Sequence, residues 1–152
     1  MGKRHKSAVL TVVDRKSKYL LIRKLGNRGS LEMNRVMVET FKNGKELSNT
    51  LTVDNGLEFS GHKKISKHLK GSVYFSHPFS PWERGLNENT NSLIRQFFPK
   101  GTDFSKVSIN ELLNVQQLIN TRPRKSLAYR TPTDIFIEHL KSIDKFKVAF
   151  VT

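Results

Sequence analysis

Apolar residues follow two rhythms along this chain. Ala8–Val13 (AVLTVV) and Tyr19–Lys24 (YLLIRK) are β-branched and aliphatic runs joined by the polar turn Asp14-Arg15-Lys16-Ser17, a pattern that predicts an antiparallel hairpin. Ser30 stands as a candidate N-cap before Leu31-Glu32-Met33, with Glu32 close to capping-box spacing, and opens a helix to about Lys42 that Gly44 ends. Leu51-Thr52-Val53 reads as a short strand stopped by Asp54-Asn55-Gly56. A helix over roughly His62–Leu69, a stop at Gly71 and a strand at Val73-Tyr74-Phe75 follow. Ser80-Pro81-Trp82-Glu83 sets an N-cap, a first-turn proline and a capping glutamate in order, at the head of a helix to about Phe97. Two more helices are predicted near Ile109–Ile119 and Pro132–Leu140. Strands first, then strands alternating with helices, predict an α/β domain on a mixed sheet.

Length agrees with that reading, since 152 residues make one domain, enough to bury about 70% of the surface of the unfolded chain. Charge adds a partner. The chain carries 27 Lys and Arg against 13 Asp and Glu, a formal net charge of +14, and such a surface suits a polyanion. The basic residues recur at Lys3–Lys6, Arg15–Lys24, Lys63–Lys70, Arg122–Arg130 and Lys141–Lys147, threaded through patterned sequence. Lys141–Lys147 alone reads as a solvated face; the sum points to nucleic acid. With 36% hydrophobic and 26% charged residues the composition is that of a folded globular domain. There is no cysteine, which excludes disulfides, thiolate zinc sites and cysteine nucleophiles, and the five scattered histidines argue against zinc. The apolar runs fall far short of the ~20 residues of a spanning helix and no signal-peptide pattern opens the chain. The expectation is a soluble, cytoplasmic protein with no membrane partner and no small-molecule substrate.

Two carboxylates stand where chemistry would want them. Asp54 ends a short apolar strand, at the edge of an α/β sheet where ligand sites form, and Asn55-Gly56 lets the backbone turn away. Taken alone, that tripeptide reads as an Asx turn. Glu88 has a better geometric case: at 100° per residue Leu86, Leu93 and Phe97 share one stripe, while Glu88, Asn91, Ser92 and Arg95 fall opposite. A solvent-facing glutamate would look the same, but Asn87, Asn89 and Asn91 are poor helix formers suited to phosphate, sugar or base edges. Converging carboxylates without His or Cys are hard oxygen ligands for Mg²⁺ or Mn²⁺. In a basic domain they suggest phosphoryl transfer on nucleic acid with two ions ~3.5–4 Å apart.

The blocks Asp54-Asn55-Gly56-x-Glu58-Phe59, Tyr74-Phe75-x-x-Pro78-Phe79-Ser80-Pro81-Trp82-Glu83-Arg84-Gly85-x-Asn87-Glu88-Asn89-x-Asn91 and Arg95-Gln96-x-Phe98-Pro99-Lys100-Gly101-Thr102-Asp103 closely resemble the catalytic core of insertion-sequence-thirty family transposases. Asn120-x-Arg122-Pro123-Arg124-Lys125-x-Leu127 and Thr131-Pro132 extend the likeness over essentially the whole chain. The resemblance implies a ribonuclease-H-like, retroviral-integrase-like fold and an Asp-Asp-Glu triad. By the same resemblance Asp54 is the second Asp and Glu88 the Glu, with 33 residues between them, and both ligate metal. The family's first Asp lies in a strand upstream of a segment like Gly2–Ala8, so residues 1–152 are expected to be a partial core without that strand or the upstream DNA-recognition domain. Asp14 matches a turn acid instead. Family strand order 3-2-1-4-5 puts the missing strand in the centre, so the hairpin is expected to be separated from the strand ending at Asp54, leaving two exposed edges and marginal stability.

The resemblance implies DNA as partner, with element ends and target DNA bound by a homo-oligomer of the full-length enzyme. DNA-binding candidates are Arg84, Asn87, Asn91, Arg95, Lys100, Arg122, Arg124 and Lys125, holding phosphates without reading sequence; Arg130 joins the later cluster. Arg122-Pro123-Arg124-Lys125 also reads as a cap on the preceding helix, where cations belong. Trp82, Phe75, Phe79, Phe97 and Phe98 are assigned to packing. The function implied is transposition by metal-dependent phosphodiester hydrolysis and strand transfer; a catalytically inactive DNA-binding remnant is the alternative.

Overall fold

Alternation makes the hairpin two-sided, and helices cover both sides. The computed structural model describes residues 7–42, 50–53, 67, 72–75 and 81–149, with no side chains for 81–84 and 143–149. Strands β1 (Ala8–Val13) and β2 (Leu20–Leu25) pair antiparallel from Ala8 opposite Leu25 to Val13 opposite Leu20. The Asp14 N–H donates to the Tyr19 carbonyl at 2.9 Å, so Tyr19 closes the turn and the strand begins one residue later than the apolar run predicts. The Asp14 carboxylate accepts from the Ser17 N–H and hydroxyl at 2.7 and 2.5 Å, inside the turn.

Helix α1 (Ser30–Phe41) covers one face of the hairpin, burying Met33, Val36 and Met37 with Ala8, Leu10 and Leu25. The same cluster takes in Val53, with Leu51 and Val73 packed against it, from strands β3 (Thr50–Val53) and β4 (Ser72–Phe75). These two pair in parallel, Thr50 with Ser72 through Val53 with Phe75. The described residues thus form an antiparallel pair and a separate parallel pair over a common core. The Arg15 guanidinium links them further, donating to the Thr52 hydroxyl at 3.1 Å.

On the opposite face lie helices α2 (Pro81–Phe97) and α3 (Ile109–Asn120). Leu20 and Ile22 pack there on Ile94, Phe98, Phe104, Leu112, Val115 and Ile119, with Val9 and Val13 at the margin. Ser108 and Glu111 close a reciprocal capping box at the head of α3. A 3₁₀ turn at Lys125–Leu127 leads into helix α4 (Pro132–Ala149), whose Phe136 stacks on Tyr19 with ring centroids 4.4 Å apart. Thr131 and Asp134 cap α4 mutually: the Thr131 N–H and hydroxyl donate to the carboxylate, and the Asp134 N–H donates to the hydroxyl.

Three readings of the sequence need correction. Ser30 is the first residue of α1 and Gly29 its N-cap, without a side-chain cap bond. Glu32 instead accepts from the Gly26 N–H at 3.2 Å and pairs with Arg35, which holds its carboxyl below the ordinary carboxylate range. Helix α4 runs nine residues beyond Leu140, because no Gly or Pro stops it. Phe97 is 43% and Phe75 37% exposed, so only Phe98 of the described aromatics assigned to packing is buried, edge-on to Phe104. The helix expected near His62–Leu69, and Gly44, Gly71, Phe79 and Ser80, lie outside the described residues, as does the Trp82 side chain.

Candidate nucleic-acid interface

Helix α2 turns one stripe to the core and the other outward. Thr90 and Ile94 are buried, and Leu86 and Leu93 half-buried. Glu88, Ser92 and Arg95 lie opposite them and are exposed, with Asn91 half-buried at the margin and Asn87 exposed beside it. Ser92 bonds back to the Glu88 carbonyl at 3.0 Å, and among the described residues no group bonds to the Glu88 carboxylate. No ion pair engages Glu88 or Arg95 among the described residues. Pro81 occupies the first helical position, where its missing N–H costs nothing. Arg84 belongs to α2, but its side chain lies outside the description, and Asp54 lies wholly outside it.

Lys100 follows directly after α2 in a tight turn. The Thr102 N–H donates to the Pro99 carbonyl at 3.1 Å, and Gly101 has φ +99°, so glycine supplies the conformation that holds Lys100 outward. Lys100 is exposed. Arg122 and Lys125 are exposed too, beyond the C-terminal end of α3, and no carboxylate pairs with either among the described residues.

Arg124 differs from its neighbours. It is half-buried, and its guanidinium donates to the Ile119 carbonyl at 3.2 Å, capping the end of α3. Burial lowers its pKa from the usual guanidinium value, and the Arg122 charge adds to the shift. Of the two readings of the Arg-Pro-Arg-Lys segment, Arg124 takes the cap. Arg130 has a protein partner as well: its two terminal nitrogens meet the Glu138 carboxylate at 2.9 and 2.5 Å.

Sequence reasoning missed the role of Asn120 and Gln116. The Leu20 N–H donates to the Asn120 side-chain oxygen, and the Asn120 amide donates to the Leu20 carbonyl, both at 2.8 Å. Gln116 accepts from the Ile22 N–H at 2.8 Å. Together the two amides occupy the outer edge of β2. The signal was an amide pair four residues apart on an otherwise apolar helical face.

The carboxylate fits a hard divalent cation in kind, because Glu88 is exposed, the chain has no thiolate, and among the described residues no imidazole groups with it. Among the described residues no group of three or more His, Cys, Asp or Glu converges. No described helix is long and apolar enough to cross a membrane.

The architecture is a ribonuclease-H-like one: the catalytic core domain of BIV integrase superposes with a TM-score of 0.64 over 90% of each chain at 16% identity. At that identity the likeness defines the fold alone. Sequence goes further. The chain is 41% identical over all 152 residues to the transposase for insertion sequence element IS4351 of Bacteroides fragilis, covering 46% of that protein. It is 42% identical over 130 residues to transposase InsI for insertion sequence element IS30C of Escherichia coli strain K12, matching 85% of this chain and 34% of that one. The chain's homologues are thus insertion-sequence-thirty family transposases, and it spans less than half the length of these relatives. No protein-family model matches it.

Proposed function

We propose that this chain supplies most of the catalytic core of a DNA transposase, which cleaves phosphodiester bonds at element ends and joins the freed 3′ ends to target DNA. The observation that carries the reading is identity to a transposase along the whole chain; the basic charge and the outward face of α2 support it. Residues 1–152 act as one partial domain, and the resemblance puts a strand bearing the first Asp between β1 and β3.

Asp54 and Glu88 are the proposed carboxylate ligands for Mg²⁺ or Mn²⁺. A pair of such ions, when bound, supplies activation of the attacking oxygen and stabilisation of the leaving one. The chain's own cations do the positioning. Arg95, with Arg84 and the amides of Asn87 and Asn91, holds phosphates beside Glu88, while Lys100, Arg122 and Lys125 hold the DNA farther along. Arg124 contributes by fixing the loop on which Arg122 and Lys125 sit. The working enzyme is a homo-oligomer of the longer protein, acting on cytoplasmic DNA.

The test extends the chain upstream by a strand carrying an aspartate and measures Mg²⁺-dependent strand transfer. Asp54→Asn and Glu88→Gln should each abolish joining while leaving DNA binding intact. Joining retained by either variant overturns the assignment. Binding by the unaltered chain should also weaken steeply with salt, since each phosphate contact releases counterions; a flat response refutes the phosphate-contact picture.

A further inference from the structure

Four basic residues and no acidic one lie in the segment 121–131, and its middle is folded into a closed loop. The Arg124 N–H donates to the Arg130 carbonyl at 3.0 Å, and the Tyr129 N–H returns to the Arg124 carbonyl at 2.9 Å. The Ala128 and Arg130 N–H groups, each at 3.1 Å, bond to the carbonyls of Lys125 and Leu127. Arg124 anchors the loop to the end of α3, and the Arg130–Glu138 pair anchors it to α4. Such a ring of bonds fixes the backbone before any ligand arrives.

Two consecutive non-glycine residues in this ring are left-handed, Ala128 at φ 52° and Tyr129 at φ 61°. Glycine would adopt that conformation without penalty, whereas a β-carbon resists it. Tyr129 gains nothing by burial in return, for it is 72% exposed. A strained, rigidly held position therefore presents a bare aromatic ring on the same closed loop as Lys125, with Arg122 just ahead of it and Arg130 neutralised by Glu138; among the described residues no carboxylate pairs with Arg122 or Lys125. Strain of this kind belongs with ligand contact, and an exposed aromatic ring on a loop that carries cations suits the combination of a base face and its neighbouring phosphates.

We infer that Tyr129 stacks on the base of an unpaired nucleotide at a DNA end while Arg122 and Lys125 grip the neighbouring phosphates. The inference rests on the DNA reading above and adds a substrate feature to it. Inside a duplex every base face is covered by its neighbours, so the ring can act only at a duplex end or, with both faces of the base free, on an unpaired nucleotide. A staggered cut through the two strands leaves such unpaired nucleotides.

Fluorescence anisotropy of the full chain on a duplex with a single-stranded overhang, and on a blunt duplex of the same length, tests this. Tyr129→Gly should weaken overhang binding by about tenfold or more, change blunt-duplex binding little and leave the salt slope alone. Glycine accepts φ 61°, so the thermal midpoint should not fall and misfolding cannot imitate the loss. Tyr129→Phe should keep the overhang affinity, because the ring is retained. Arg122→Ala should weaken both duplexes and reduce the salt slope by about one. Undiminished overhang binding by Tyr129→Gly, or a Tyr129→Phe variant as weak as it, overturns the inference and leaves the DNA reading standing. Absence of DNA binding by the unaltered chain overturns both.

Discussion

The two edges of the hairpin are treated differently. On β2 the Asn120 and Gln116 amides satisfy backbone groups at 2.8 Å, as a further strand would, but without presenting a new edge. Among the described residues no side chain or backbone group bonds to the outer edge of β1, and β3, which shares its core cluster, has one paired side, with β4. Exposed edges invite pairing with other strands, and folded proteins block those that are meant to end a sheet. The contrast marks β2 as the terminus of the sheet. Among the described residues β1 and β3 each keep one unpaired edge, the arrangement expected if a further strand lies between them as proposed.

The blocked side depends on its apolar support, so the largest effect should come from removing that. Phe104 is 1% exposed and meets Phe98 edge-on across the base of α2. Phe104→Ala should cost about 3–5 kcal/mol, read from urea unfolding. A loss under about 1 kcal/mol would mean that the α2–α3 side is not the anchor of the molecule.

Next in size is the edge itself. Asn120 is 2% exposed, so Asn120→Ala strands a buried N–H and a buried carbonyl of Leu20 and should cost about 2–4 kcal/mol. Gln116→Ala removes one bond at a half-buried site and should cost about half as much. Asn120→Ala should also self-associate more readily in light scattering, since it reopens an edge. If neither variant costs more than about 0.5 kcal/mol, the amides do not hold the edge of β2 and the comparison of edges fails.

Much of this architecture was legible in the sequence, for reasons that particular residues make plain. The near-continuous apolar run Ala8–Val13, followed by a polar turn and a second such run, reads as a hairpin with both faces covered, because only a doubly covered strand can be apolar at successive positions. Pro81 marks the start of α2 unambiguously, and the stripe through Thr90 and Ile94 leaves Glu88 outside as periodicity requires. Ser30 misled because capping preferences are local, whereas the turn at Gly26–Gly29 recruits Asn27 and Glu32 to do the work of a cap. Asn120 stood out as an amide on an apolar face, but its role stayed hidden for the opposite reason: its partner, Leu20, lies 100 residues away. Arg124 carried two readings that only burial separates. Glu88 was legible as an outward acid, but its relation to Asp54 depends on three-dimensional closure that periodicity does not encode.

The smallest expected effect concerns acid, and it sharpens the same comparison. On the blocked side the Glu111 carboxyl is held below its ordinary range by the Ser108 N–H first and the Ser108 hydroxyl second, and Asp134 by Thr131. A carboxyl whose folded pKa is lowered contributes stability that is fully present above the ordinary carboxylate range and is lost as the pH falls through the lowered value. Both groups are fully solvated, so each contribution is small. Glu111→Gln with Asp134→Asn keeps the hydrogen-bonding shape and removes the titration. Urea midpoints measured from pH ~7 to ~3 should start lower in the double variant and fall less steeply, the two curves converging at the acid end. Glu32→Gln, on the side of α1, should flatten the acid limb in the same way, because Arg35 lowers that carboxyl by the same logic. If only the α1 variant flattens it, the helix heads on the blocked side hold no titratable stability, and their caps act through neutral hydrogen bonds alone.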